Sequence, residues 1–212
     1  MLKILPSIAS ADTMALRSEM RRVEKLGRLH LDIEDGNFID NITFGQKTIN
    51  AIAREFSGTL DAHLMTTDPG AYLAWLSEAG IEAVCGHIET LPYPMRFLKS
   101  AHRLGMKAGL AMNLKVPVHE LTAYTEELDY VLVMTSEPDG GEQEFFSCAY
   151  GRVAQLREML PERVKIWCDG GIRPEYLPEL HRAGMDVAIM GRAVFSAADP
   201  VQAVEMYERS AT

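Results

Sequence analysis

Residues 29–33 have the sequence Leu-His-Leu-Asp-Ile, a short apolar run with a polar residue at every second position. A segment with helical spacing follows at Thr48–Phe56, and a second apolar run follows at Thr59–Met65. A strand, a helix and another strand in this order predict a βαβ unit with two parallel strands. Because side chains alternate along a strand, we expect His30 and Asp32 to share one side of the sheet.

The same alternation extends in both directions from this unit and covers the chain. The apolar runs are Lys3–Ala9, Leu29–Ile33, Thr59–Met65, Ala83–Ile88, Lys107–Met112, Tyr130–Met134, Lys165–Cys168 and Val187–Met190. The segments with helical spacing are Met14–Leu26, Thr48–Phe56, Gly70–Glu78, Tyr93–Leu104, Val118–Glu127, Tyr150–Met159, Pro174–Arg182 and Pro200–Arg209. Eight strand–helix units predict an α/β fold, a single (β/α)8 TIM barrel over residues 1–212. A doubly wound open sheet is the alternative, but the sequence lacks the glycine-rich phosphate loop expected after an early strand.

Composition and charge exclude several other classes of protein. Hydrophobic residues make up 47% of the chain and charged residues 24%, which is ordinary for a globular domain. The formal net charge of −9 argues against binding of nucleic acid, which needs a basic face. No apolar stretch approaches the ~18 residues of a membrane span, so we expect no membrane partner. Three cysteines without a CxxC pair predict a reducing, cytoplasmic setting.

Residues with metal-binding chemistry stand near three predicted strand ends. The second strand carries His30 and Asp32, the third carries His63, and the seventh is followed by Asp169. In barrels of this kind the C-terminal strand ends meet at one mouth, where active sites lie. Two imidazoles and two carboxylates would suit one divalent ion such as zinc, iron, manganese or cobalt. From spacing alone, four separately satisfied polar groups are an equally good interpretation.

Motifs distributed from about residue 3 to residue 200 resemble one family. In chain order they are Leu5-Pro6-Ser7, Ser10-Ala11-Asp12, His30-Leu31-Asp32-Ile33-Glu34-Asp35-Gly36, Asn41-Ile42-Thr43-Phe44-Gly45, Asp61-Ala62-His63-Leu64-Met65, Leu132-Val133-Met134-Thr135, Asp169-Gly170-Gly171-Ile172 and Gly191-Arg192-Ala193-Val194-Phe195. Their combination resembles the ribulose-phosphate 3-epimerase family. The resemblance implies a barrel of the ribulose-phosphate-binding type. It also implies one divalent metal per chain, held by His30, Asp32, His63 and Asp169.

The resemblance further implies a reaction and the residues that perform it. A 3-epimerase removes the proton beside the carbonyl of a phosphorylated ketose and returns one on the opposite face of an enediolate, so it needs two acid–base groups. The implied proton carriers are Asp32 and Asp169. Substrate contacts implied on the same ground are Ser7, His63, Met65 and Met134. For the two methionines, plain core packing is the alternative interpretation.

Loops after the last three strands are the implied phosphate site, because a glycine lets a backbone amide approach an anion closely. The implied contacts are Gly140, Gly141, Gly170, Gly171, Gly191 and Arg192. The family usually has methionine at position 34, Pro-Gly-Phe-Gly-Gly-Gln at positions 138–143 and serine at position 192. Here these positions carry Glu34, Pro-Asp-Gly-Gly-Glu-Gln and Arg192. We therefore expect Glu34, Asp139 and Glu142 to influence specificity.

These departures leave several functions open. A substrate like ribulose or xylulose 5-phosphate is the first expectation, and a ketohexose phosphate, as for allulose-6-phosphate 3-epimerases, is the alternative. A barrel that binds sugar phosphates without turnover is a third. Gly191-Arg192 also resembles the orotidine-phosphate decarboxylase and hexulose-phosphate synthase group, but the Asp-x-Lys-x-x-Asp motif of that group is absent. The family resemblance implies a homo-oligomer, either a dimer or a hexamer.

Overall fold

Eight parallel strands form one sheet in a computed structural model that describes residues 2–138 and 143–211. The strands are β1 (Lys3–Pro6), β2 (Arg28–Glu34), β3 (Thr59–Met65), β4 (Ala83–His87), β5 (Lys107–Met112), β6 (Tyr130–Met134), β7 (Lys165–Asp169) and β8 (Val187–Met190). Their order is β1-β8-β7-β6-β5-β4-β3-β2. A parallel bridge between Ser7 and His30 lies across the remaining gap between β1 and β2. The sheet is therefore a nearly closed barrel, and the predicted fold class is confirmed.

Helices follow the strands around the outside of the barrel. They are α1 (Leu16–Val23), α2 (Gln46–Glu55), α3 (Leu73–Glu78), α4 (Pro94–Arg103), α5 (Cys148–Met159), α6 (Leu177–Ala183), α7 (Arg192–Phe195) and α8 (Pro200–Ser210). The fifth predicted helical segment forms a 3-10 helix, Val118–Tyr124, in which Leu121 alone is buried. One buried residue does not give the continuous apolar face that stabilises an α-helix. The short α7 lies outside the segments that showed helical spacing in the sequence. Across the described residues, every helix is too short or too polar to cross a membrane.

The core has two parts, one on each side of the strands. Residues such as Leu29 and Leu31 pack outward in the cluster between the strands and the helices, where both are fully buried. A smaller apolar cluster fills the inside of the barrel. There Tyr130, the first residue of β6, stacks on Trp167 with ring centroids 4.1 Å apart. The N-terminal half of the interior is thus closed by apolar packing, and the polar groups gather at the C-terminal mouth.

Candidate active site

The register of β2 and β3 builds the floor of the site. It pairs His30 with Asp61, Asp32 with His63, and Glu34 with Met65. Because the leucines of β2 pack outward, these alternate residues face the inside of the barrel. The strand periodicity therefore places five ionisable side chains and Met65 next to one another on the inner face of these two strands.

Four candidate metal ligands converge in this block. One ligand atom from each of His30, Asp32, His63 and Asp169 lies within 4.8 Å of the others. Asp32 Oδ1 is 3.2 Å from His30 Nε2 and 3.3 Å from His63 Nδ1, and His63 Nδ1 is 3.4 Å from Asp169 Oδ2. Two imidazole nitrogens and two carboxylates at such separations match the donor set of a divalent transition metal. The convergence that spacing alone left open is present.

The charges of the four groups depend on one another. Burial lowers the pKa of His30, but Asp61 and Asp32 outweigh this effect and raise it well above its usual value. Burial disfavours ionisation of Asp32, yet His30 and His63 hold its pKa far below the usual range. Burial and the charge of Asp32 raise the pKa of Asp169. The two aspartates therefore differ in their tendency to hold a proton.

Further side chains fix the orientation of these groups, and sequence reasoning missed most of them. Ser7 Oγ donates a 2.5 Å hydrogen bond to Asp32 Oδ2, which brings a predicted substrate contact directly against a carboxylate. Asp61 is hydrogen-bonded to Nδ1 of His30. Thr135 donates through both its backbone amide and its hydroxyl to the carbonyl of Asp169, at 2.7 and 3.0 Å. The alternation along β3 was the available signal for Asp61, because it lies two residues before His63.

A cavity of about 1010 Å³ opens above the cluster. Of the predicted residues, its lining includes Ser7, Asp32, Glu34, Met65, Met134, Asp169, Gly171, Gly191 and Arg192. Among the described residues, Gly170 and the fully buried His30 and His63 do not line it. The predicted Asp139, Gly140, Gly141 and Glu142 lie outside the described residues.

The rim of the cavity carries two exposed cations, Arg173 and Arg192. The first was missed, although it follows Gly171 by only two residues. A side chain at Gly191 would place its Cβ 2.0 Å from the hydroxyl oxygen of Ser10, so the close approach there requires glycine. The amide of Gly171 donates to the side chain of Gln143 at 3.3 Å. Backbone amides and cations thus meet at one end of the cavity.

Glu34, the last residue of β2, also lines the cavity. Asn41 Nδ2 donates to Glu34 Oε2 at 2.5 Å. Within the described parts of the chain, Glu34 and Arg192 form no ion pair. Burial, and then the charge of Asp32, raise the pKa of the Glu34 carboxyl to about 7.

Comparisons with known proteins identify the family of this chain. The sequence profile of the ribulose-phosphate 3 epimerase family matches residues 3–195. Ribulose-phosphate 3-epimerase from Bacillus subtilis is 34% identical over 210 residues, covering 96% of this chain and 97% of the relative. The same enzyme from Rhodobacter capsulatus is 34% identical over 212 residues, covering 99% and 92%.

Solved structures support the fold. The 3-hexulose-6-phosphate synthase of Salmonella typhimurium is similar with a TM-score of 0.72, at 19% identity, covering 99% of this chain and 98% of that one. An orotidine 5'-phosphate decarboxylase from Pyrococcus horikoshii has a TM-score of 0.67 at 16% identity, covering 98% of both chains. Likeness at such low identity supports the barrel alone. The full-length match to the family profile and to its enzymes goes further: this chain belongs to the ribulose-phosphate 3-epimerase family and is an isomerase of the epimerase class.

Proposed function

We propose that the protein is a metal-dependent 3-epimerase of a phosphorylated ketose resembling ribulose or xylulose 5-phosphate. The observation that carries the proposal is the convergence of two histidines and two aspartates within 4.8 Å beneath an open cavity. A sugar-phosphate sensor without turnover has no need of two acid–base carboxyl groups at the floor of its site. The family membership supports the same choice.

Asp32 and Asp169 are the proposed proton carriers. They come from β2 and β7, which are separated in the ring by β1 and β8, so their carboxyl groups approach a bound ketose from different directions. In one direction Asp32 accepts the C3 proton and Asp169 donates one on the opposite face of the enediolate. The roles exchange in the reverse reaction, and no net change in protons results.

His30, Asp32, His63 and Asp169 would hold the metal, because their donor atoms and spacing fit one divalent ion of the zinc, iron, manganese or cobalt type. A divalent ion bound there supplies positive charge that stabilises the negative charge developing on the substrate oxygens. Ser7 is proposed to orient Asp32 and to contact the substrate from the end of β1. The side chains of Met65 and Met134 line the cavity and would exclude water from the enediolate.

The rim formed by Gly171, Gly191 and the two arginines is the proposed phosphate site. Replacing Arg192 with serine, the residue usual in the family, should raise KM for phosphorylated ketoses about 10- to 150-fold, because a charge-assisted hydrogen bond contributes about 1.5–3 kcal/mol. Steady-state kinetics with a ketose phosphate and its unphosphorylated sugar measure the effect. Arg54→Ser, at an exposed site of α2 away from the cavity, is the control. Equal losses on both substrates would remove Arg192 from the phosphate site.

Glu34 should make the stability of the metal-free protein depend on pH. Its pKa is about 7 in the folded protein and ordinarily 4.5, so the folded state binds the proton more tightly. Stability from this group is full below about pH 4.5 and is lost as the pH rises through 7. Glu34→Gln cannot ionise, and its free energy of unfolding should therefore rise relative to the original protein between about pH 4.5 and about pH 8. Urea denaturation at both pH values tests this, and a constant difference would contradict it.

A ketohexose phosphate is the second candidate substrate. Glu34 and Asn41 add polar groups to the cavity wall that could bind a further hydroxyl group. Initial epimerisation rates of the metal-loaded protein with ribulose 5-phosphate, allulose 6-phosphate and free ribulose distinguish the candidates. We expect the highest kcat/KM for ribulose 5-phosphate. A preference for allulose 6-phosphate would make a ketohexose phosphate the proposed substrate. If none of the three sugars were epimerised, the proposed function would be contradicted. A cytoplasmic location and assembly into a homo-oligomer stay predictions from the sequence.

A further inference from the structure

Two polar residues lie behind His63 and have no assigned role: His87, the buried last residue of β4, and the half-buried Glu89 in the following turn. His87 Nε2 is 2.8 Å from His63 Nε2, and the two rings stack with centroids 4.9 Å apart. His87 Nδ1 is in turn 3.5 Å from Glu89 Oε2. The three side chains form a row that leads away from the candidate metal ligands.

The row is packed and anchored. His63 and His87 are fully buried, and Phe38 packs on the His87 ring with centroids 4.6 Å apart. His87 Nδ1 and Glu89 Oε2 are both buried atoms, and neither forms a hydrogen bond with any described residue. At 3.5 Å, each is the polar partner available to the other. Glu89 Oε1 accepts a 3.3 Å hydrogen bond from the Asn113 amide, which holds the carboxylate in place.

The geometry determines where the ring protons lie. Two imidazole nitrogens 2.8 Å apart share one proton, because one must donate and the other accept. His63 Nδ1 faces Asp32 and Asp169, and a metal bound there requires this nitrogen without its proton. The remaining proton of His63 then lies on Nε2, and His87 Nε2 accepts it. The proton of His87 therefore lies on Nδ1, the ring nitrogen 3.5 Å from Glu89 Oε2.

We propose that His87 and Glu89 are positioning residues that hold His63 in the tautomer and orientation needed for metal binding. This inference rests on the proposed metal site. It gives His63 the partner that metal-bound histidines usually have, a hydrogen-bond acceptor for the second ring nitrogen. For His30, the carboxylate of Asp61 is the corresponding hydrogen-bond partner of the second ring nitrogen, and it contacts the ring directly. For His63, a neutral imidazole is interposed between the ligand and its carboxylate.

Affinity for Zn²⁺ alone, measured by competition with a chelating dye, tests the proposal without any turnover. His87→Phe keeps a packed ring but removes the acceptor, and it should weaken Zn²⁺ binding about 10- to 100-fold. His87→Gln can still accept from His63 through its amide oxygen and should restore most of the affinity. His102→Phe is the control, because His102 also pairs with a carboxylate, Asp129 at 2.8 Å, but on the outer surface. Its Zn²⁺ affinity should not change.

The outcomes separate this inference from the proposed function. If the original protein bound no Zn²⁺, the metal site itself would be wrong. If it bound Zn²⁺ and His87→Phe bound equally tightly while folded, the positioning role alone would be wrong. Nitrogen-15 NMR of the unmutated Zn²⁺-loaded protein decides the same question without a substitution. We expect protons on His87 Nδ1 and His63 Nε2, and a proton on His87 Nε2 would overturn the inference.

Discussion

Asp169→Asn should reduce epimerisation by about 10²- to 10⁴-fold in the metal-loaded protein, the range expected for loss of one acid–base group. The amide oxygen can still act as a ligand, but the side chain can no longer carry a proton. Asp32 remains on the other wall, 3.3 Å from His63. One of the two epimers should therefore still exchange its C3 proton with solvent, although neither is converted at a normal rate.

Metal content must be measured in the same preparation, because Asp169 is also a proposed ligand. Asp186→Asn is the matched control: Asp186 accepts a 2.9 Å hydrogen bond from the Ile166 amide and lies at the N-terminal end of β8, away from the cavity. It should turn over normally. A fully metallated Asp169→Asn protein with near-normal turnover would eliminate Asp169 as a proton carrier.

His63→Ala should lower the bound divalent metal from about one ion per chain to a small fraction and abolish epimerisation with it. The substitution removes one of four donors and leaves Asp32 and Asp169 without the imidazole between them. Elemental analysis after reloading and desalting measures the content. His181→Ala is the control, since that side chain bonds the Met185 carbonyl at 2.9 Å on the outside of the barrel. A His63→Ala protein that retained one tightly bound ion per chain would contradict the ligand set.

Most of the fold could be predicted because its signal is local. Each strand is a short apolar run followed by helical spacing, and eight repetitions leave few arrangements other than a barrel. The departures occur where the local signal is weak. Val118–Tyr124 carries apolar residues at helical spacing but buries Leu121 alone, and α7 is only one turn long, too short to show a period.

The candidate site could be predicted in part, for a different reason. His30, Asp32 and His63 lie on the inner faces of β2 and β3, and Asp169 is the last residue of β7, so topology brings them together once the barrel is known. Residues that act through another side chain have no such signal. His87 becomes a candidate only because its Nε2 lies 2.8 Å from His63 Nε2. This contact depends on the register of β3 and β4 and on the orientation of both rings. Arg173 likewise becomes a candidate only once the loop after β7 is seen to border the cavity.

Solvent exchange at C3 tests the central claim most directly. Metal-loaded protein is incubated with ribulose 5-phosphate in D₂O, and the sugar is followed by proton NMR. Proton removal and return by two aspartates predict that xylulose 5-phosphate appears with deuterium at C3 and that chelation of the metal stops the reaction. A protein that carried one ion per chain, yet left the C3 proton of ribulose 5-phosphate and of allulose 6-phosphate unexchanged, would contradict it.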